Sequence, residues 1–337
     1  MTTPKKPVIG GQAVMEGVMM KAPDAIAIAV RKPDGEIVLK RTPYISPAKK
    51  HKWMGLPIIR GIVNMVSMLS MGMTTLEDST RMLGIYDEEP SKFEKWLSKT
   101  LGKNIDKVVM GVAIVMALAL SVLLFMAIPS FVGSLLNRTV SSLLAVNLVT
   151  GLARIIILIA YIGLAGLLPD MRRTFEYHGA EHKTVHCFES DLPLTPENAQ
   201  QFSPLHPRCG TSFLLLVMII AVLLGAMFDQ LLHLLFGVER LTFIWRLVRS
   251  IAILPLIAGV SYEILQGLAK SENICVRALR WPGLMLQKLT TREPSLEQLE
   301  VAIASFNTAL HGLPEKEPEN SPEHAEEPSH VEPKTDA

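Results

Sequence analysis

Apolar positions along this chain of 337 residues recur with three different periods. Four stretches, at 108–128, 143–168, 213–236 and 243–268, are almost continuously apolar and reach the roughly 20 residues that a helix needs to cross a bilayer. Ahead of them, residues 25–30 and 37–39 are rich in β-formers and flank Lys32-Pro33-Asp34-Gly35-Glu36, where Asp-Gly predicts a hairpin. The glycine-rich run at 10–20 allows close backbone approach, so residues 1–48 are expected to form a small β-rich unit. In segment 49–106 a basic cluster (Lys49, Lys50, His51, Lys52) precedes an apolar run that ends near Met73 and is broken by Asn64, Ser67, Ser70 and Gly72. That run is short for a span. A helix in the membrane interface or packed on the membrane domain is expected, with a plain helix of a soluble domain as the alternative. Segment 271–312 ends in a predicted amphipathic helix: Ser295 and Gln298 make a capping box, and Leu296, Leu299, Val301, Ala302, Ile303 and Phe306 share one face. The pattern predicts an α+β membrane protein, with about four transmembrane helices within 107–270, a β-containing N-terminal cytoplasmic unit and a C-terminal amphipathic helix.

Composition agrees, with 49% hydrophobic and 19% charged residues. The net charge of +1 hides a split. Residues 313–337 hold eight acids and two lysines, a balance of −6 that leaves +7 for the rest. This proline-rich tail has almost nothing apolar to bury and is expected to be disordered. Arg172, Arg173, Lys183 and Arg208 fall between the second and third spans, and Lys270, Arg277, Arg280, Lys288 and Arg292 follow the fourth, whereas the two short connections carry only Arg138 and Arg240. The positive-inside rule then puts both termini and the polar interval 169–211 in the cytoplasm. The bilayer is the expected partner, with other membrane proteins as further ones; nothing in the charge pattern points to nucleic acid. Arg154 and Glu263 lie within spans and should pair or face the bundle interior. Cys187, Cys209 and Cys275 do not make a disulfide framework.

The polar interval gathers three histidines, two glutamates, a lysine and a cysteine into residues 177–189. If this run is helical, His178 and His182 share a face with Glu181 beside them. His-Gly-Ala-Glu-His fits H-x-x-E-H, in which two histidines bind zinc and the glutamate acts as base. A third protein ligand is then required, with the fourth position left for water. Glu263, His206 and Cys209 are the candidates, and His186 stands one turn further along. Gln12 and Glu16 are candidates for substrate positioning or for supporting the ligands, as are Lys183, His186 and Arg208. A solvated or hydrogen-bonded side chain is the plainer reading of each.

Gly-Gly-Gln-Ala-Val-Met-Glu-Gly-Val-Met-Met at 10–20, Tyr-His-Gly-Ala-Glu-His-Lys-Thr at 177–184 and His-Pro-Arg-Cys-Gly-Thr-Ser at 206–212 resemble the YqhQ-like family. Leu-Thr-Thr-Arg-Glu-Pro at 289–294 and Gln-Leu-Glu-Val-Ala at 298–302 add to the likeness, which covers roughly residues 8–308. The resemblance implies a bacterial membrane protein described as a predicted metal-dependent enzyme. From residues and resemblance together, a zinc-dependent hydrolase at the cytoplasmic membrane surface is expected, with Glu181 as general base. The alternative is a non-enzymatic biogenesis factor or scaffold with a structural metal or polar core. A metal or ion carrier is a third reading, weakened by four spans without a visible inverted repeat.

Overall fold

The computed structural model describes residues 6–47, 51–84, 105–136, 138–140, 142–238, 242–269 and 273–314. Strands β1 (Gly10–Val14), β2 (Gly17–Lys21), β3 (Ala25–Arg31) and β4 (Ile37–Pro43) form an antiparallel meander in sequence order. The Asp-Gly turn joins β3 to β4, with Gly35 at φ 92°, a region that disfavours side chains. The glycine-rich run supplies β1 and β2, paired from Gly10↔Lys21 to Val14↔Gly17.

Side chains alternate across this sheet, and both faces are covered. Val18, Met20, Ala27 and Ala29 face a core shared with Tyr177, Ala180, Leu299, Ala302 and Phe306. Val14, Met19, Ile28 and Val30 face the other way, toward Met71. The alanines let helices lie close, and the Ser305 hydroxyl reaches Ala27 O at 3.1 Å. The near-continuous apolar runs in β2 and β3 are the signature of strands buried on both faces.

Helix α1 (Ile59–Met82) covers the second face through Met71, Thr75 and Ser79. Its first turn packs on the fourth span, where a Cβ on Gly61 would lie 2.8 Å from Gly259 Cα and from Tyr262 Cβ. Beside this contact the Arg60 guanidinium grips both oxygens of Glu263, at 2.7 and 2.5 Å, and Ile58 N–H donates to the same carboxylate at 3.1 Å. This segment, expected in the interface or packed on the membrane domain, lies between the sheet and the fourth span.

Among the described residues four helices are long and apolar enough to cross a bilayer: Gly111–Leu136, Leu143–Ala165, Leu214–Phe236 and Ile244–Leu268. The first comprises α2 (Ile105–Val122), a π-helical turn (Leu123–Ala127) and α3 (Ile128–Leu136). It continues past the expected end at 128 despite Pro129. The wider turn just ahead absorbs the hydrogen bond that proline cannot make. The second, α4 (Leu143–Ala165), stops short of 168 because Pro169 biases Leu168 to its extended conformation, ψ 134°. Pro169 then opens α5 (Pro169–Glu189), followed by α6 (Pro196–Gln200). The last two spans are carried by α7 (Gly210–Phe236) and α8 (Phe243–Ala269). Helices α9 (Ile274–Thr290) and α10 (Leu296–His311) complete the order, and the Ser295/Gln298 capping box is formed. The acidic tail lies outside the described residues beyond 314.

The glycine contact between α1 and α8 makes a direct prediction. Gly61→Leu should destabilise the protein by about 1–3 kcal/mol through overpacking. Gly163→Leu, where nothing lies within 4 Å of the added Cβ, should leave thermal unfolding in detergent nearly unchanged.

Candidate metal centre

Helix α5 has Pro169 in its first turn, Asp170 near its N-terminus and His186 in its last turn, all favourable placements. Its sequence is polar, yet Glu181, His182 and Lys183 are only 6%, 1% and 1% exposed. Buried polar groups need partners, and most here have them. The Lys183 ammonium donates to Gln200 O at 2.7 Å and pairs with Glu293. Glu181 Oε1 accepts from Gly11 N–H at 2.9 Å. A Cβ on Gly11 would approach Glu181 Cγ to 3.1 Å and Met19 O to 2.2 Å, so glycine lets β1 reach the carboxylate. Gly179, a costly residue inside a helix, has an equally local reason. A Cβ there would lie 2.0 Å from Arg292 O, because the segment after α9 crosses α5 at this point. Arg292 N–H donates to Phe175 O at 2.9 Å.

The histidines are oriented by backbone carbonyls. His178 Nδ1 meets Thr290 O at 2.8 Å, and His182 Nδ1 meets Pro204 O at 2.5 Å. A carbonyl only accepts, so each Nδ1 carries the proton and each Nε2 is left with its lone pair. His178 Nε2 lies 3.2 Å from Cys209 Sγ. Among the described residues His182 Nε2 is buried without a hydrogen-bond partner. One ligand atom from each of His178, His182 and Cys209 lies within 4.8 Å of the others. The free oxygen of the base candidate, Glu181 Oε2, is 3.6 Å from His182 Nε2. Cys209 also caps α7, its sulfur accepting from Thr211 N–H at 3.4 Å. The cluster therefore ties α5 to the start of the third span.

Residues 56–312 match the family described as "Protein of unknown function (DUF1385)". The chain belongs to this family. It is 34% identical over 320 residues to "Uncharacterized protein YqhQ" of Bacillus subtilis (strain 168), a match covering 94% of this chain and 97% of the relative. No solved structure matches it.

In this member of DUF1385 the other candidates are placed differently. Glu263 belongs to the Arg60 contact described above, which takes both its oxygens, and it is not part of the His178–His182–Cys209 group. Its position nearly two turns before the end of α8, facing α1, decides that. His206 is held the opposite way to the two ligand-ready histidines: its Nδ1 accepts from Arg208 N–H at 3.2 Å, so Nε2 carries the proton of the neutral ring. That Nε2 lies 3.6 Å from Glu189 Oε2, and Glu189 is also paired with Arg208. His186, Glu189 and His206 form a second cluster within 4.8 Å. There His186 Nε2 donates to Leu205 O at 3.0 Å. Gln12 reaches away to Thr75 Oγ1 on α1, at 2.6 Å. Glu16 braces the start of α5, pairing with Arg173 and accepting from Tyr177 OH at 3.3 Å; burial beside that carboxylate pushes the Tyr177 phenol pKa up.

Sequence reading passed over Gln287, whose amide exchanges two hydrogen bonds with the His206 backbone at 2.9 and 2.8 Å. It also passed over the carbonyls of Pro204 and Thr290. Backbone oxygens carry no residue signature, so only the fold could reveal them.

Burial, reinforced by His186 and His182, pushes the His206 pKa down from 6.5 to about 3. The folded value lies below the unfolded one, so the unfolded chain takes up this proton first as pH falls. The contribution is intact above pH 6.5 and is lost progressively toward pH 3. In chelator-treated protein it should amount to about 2 kcal/mol between pH 7 and pH 5. Unfolding measured at the two pH values should show this loss in the parent chain and a smaller one in His206→Gln.

Proposed function

We propose that the chain is a metal-dependent hydrolase working at the cytoplasmic face of the bacterial inner membrane, with both termini in the cytoplasm. The observation that carries this reading is the buried, unpartnered His182 Nε2, converging with His178 Nε2 and Cys209 Sγ while Glu181 keeps one oxygen free beside it. Two imidazole nitrogens and a sulfur suit zinc. Carbonyl partners on the far nitrogens are the supports that histidine ligands commonly have. Three protein ligands leave a position for water, as hydrolytic sites require.

Zinc held there would supply a water acidified toward neutrality and a Lewis acid for a carbonyl or phosphoryl oxygen. The chain's own residues do the rest. Glu181 is fixed at Oε1 by the Gly11 amide, which leaves Oε2 to take the proton. Arg208, half exposed and paired with Glu189, can exchange that partner for an anionic group on a substrate. Lys183 is locked on Glu293 and Gln200 and serves the packing of α5. A basic surface on this side would favour anionic headgroups, and the bilayer supplies the substrate's setting.

A second reading, a scaffold or biogenesis factor for other membrane proteins with a structural metal, draws on Cys209. Its sulfur sits at the N-cap of the third span, so a metal would staple α5 to the membrane domain.

Elemental analysis of the detergent-purified protein decides between these. The parent chain should hold about one zinc, and His178→Ala, His182→Ala and Cys209→Ala should lose it. Glu181→Gln should keep the metal and, on the hydrolysed substrate, lose about 10²–10⁴-fold in rate. If Glu181→Gln keeps full activity, the base assignment falls; if no metal binds or rebinds, the enzyme reading falls with it.

A further inference from the structure

The membrane bundle contains a second polar cluster, at the end remote from α5. Arg154 on α4, Asp229 on α7, and Arg246 and Arg249 on α8 line one cavity with Asn147. At about 1.5 Å per residue, Arg154 lies roughly 16 Å in from Leu143, and Asp229 about 10 Å in from Phe236. The cavity therefore runs from the rim of the bundle, near Arg246, to its middle.

The lining residues carry three guanidinium groups and one carboxylate, and that carboxylate is taken by Arg249. Asp229 answers Arg249, whose Nη1 donates to Oδ1 at 2.7 Å and to Gly225 O at 2.9 Å. Among the described residues Arg154 makes no ion pair. Its Nε, the Nε of Arg249 and the Nδ2 of Asn147 are all buried without a hydrogen-bond partner there. A cation such as Arg154 without a counter-ion inside a membrane span is costly, and buried donors without acceptors favour an anion. Guanidinium forks match the oxygens of phosphate in particular. The cavity measures about 30 Å³, above the roughly 10–15 Å³ that one water needs. It suits one small anionic group, not a whole lipid.

We propose that this intramembrane cavity binds a phosphate group, with Arg154, Arg249 and Asn147 as its donors and Arg246 at its entrance. The group is either the headgroup phosphate of a lipid in the adjoining leaflet or free inorganic phosphate. Asp229 orients Arg249 and at the same time weakens the site through its own charge.

The test uses the full chain, stripped of lipid by extensive detergent washing and followed by thermal unfolding. One arm adds inorganic phosphate against chloride at equal ionic strength. The other adds phosphatidylglycerol against diacylglycerol, which lacks the phosphate. Saturable stabilisation in the first arm alone identifies the free ion, in the second alone the headgroup, and in both the phosphate group whatever carries it. Arg154→Gln should weaken the apparent affinity about tenfold or more, as expected for lost charge-assisted hydrogen bonds. Asp229→Asn, by removing the competing carboxylate, should tighten it several-fold. No stabilisation in either arm overturns the proposal, as does unchanged binding in Arg154→Gln. If Arg154→Gln does not fold, Asp229→Asn decides: failure to tighten sinks the idea.

Discussion

A buried polar helix is the constraint on which this structure turns. Helix α5 brings three histidines, a glutamate and a lysine into an interior that would reject them unmatched. The fold answers with surrounding elements. Strand β1 offers the Gly11 amide to Glu181, α6 offers the Gln200 carbonyl to Lys183, the last residue of α9 offers Thr290 O to His178, and the segment after α9 offers Glu293 to Lys183. Each answer comes from a different part of the chain. The sheet, α10 and the 290–294 segment must therefore assemble around α5 together, and the approach at Gly179 is what permits it.

That assembly is also coupled to the membrane. Pro169 joins α5 to the second span with a short break, and Cys209 caps the third. On the sheet's other side, α1 is bolted to the fourth span through Gly61, Gly259 and the Arg60–Glu263 pair. These three links, to three spans, hold the histidine cluster in place against the bundle. Such rigid support suits a metal site, whose ligands must be placed within fractions of an ångström. It equally suits a module that transmits strain between spans.

Much of the architecture was legible in the residues. Uninterrupted apolar length announced the spans, Asp34-Gly35 the hairpin, and Ser295 with Gln298 the start of α10, because each of these signals acts within a few residues of itself. The spacing of His178, Glu181 and His182 was likewise local and placed them on one helical face. The third member of the cluster was not legible. Glu263, His206 and Cys209 are all chemically eligible, and their sequence distances from His178 do not rank them. Only the packing of α8 against α1, which commits Glu263 to Arg60, and the turn after His206, which directs an amide at its Nδ1, separate them from Cys209.

The sequence by itself determined which segments are long and apolar enough to span a bilayer, where the hairpin and the cap of α10 fall, and which residues offer metal-ligand chemistry, since those depend on composition and period. Tertiary structure decided the tautomers of His178 and His182, the partners of Lys183 and Glu16, and the setting of Arg154. Those depend on where carbonyls, amides and carboxylates from distant elements arrive, and no property of a residue type encodes an encounter across the fold.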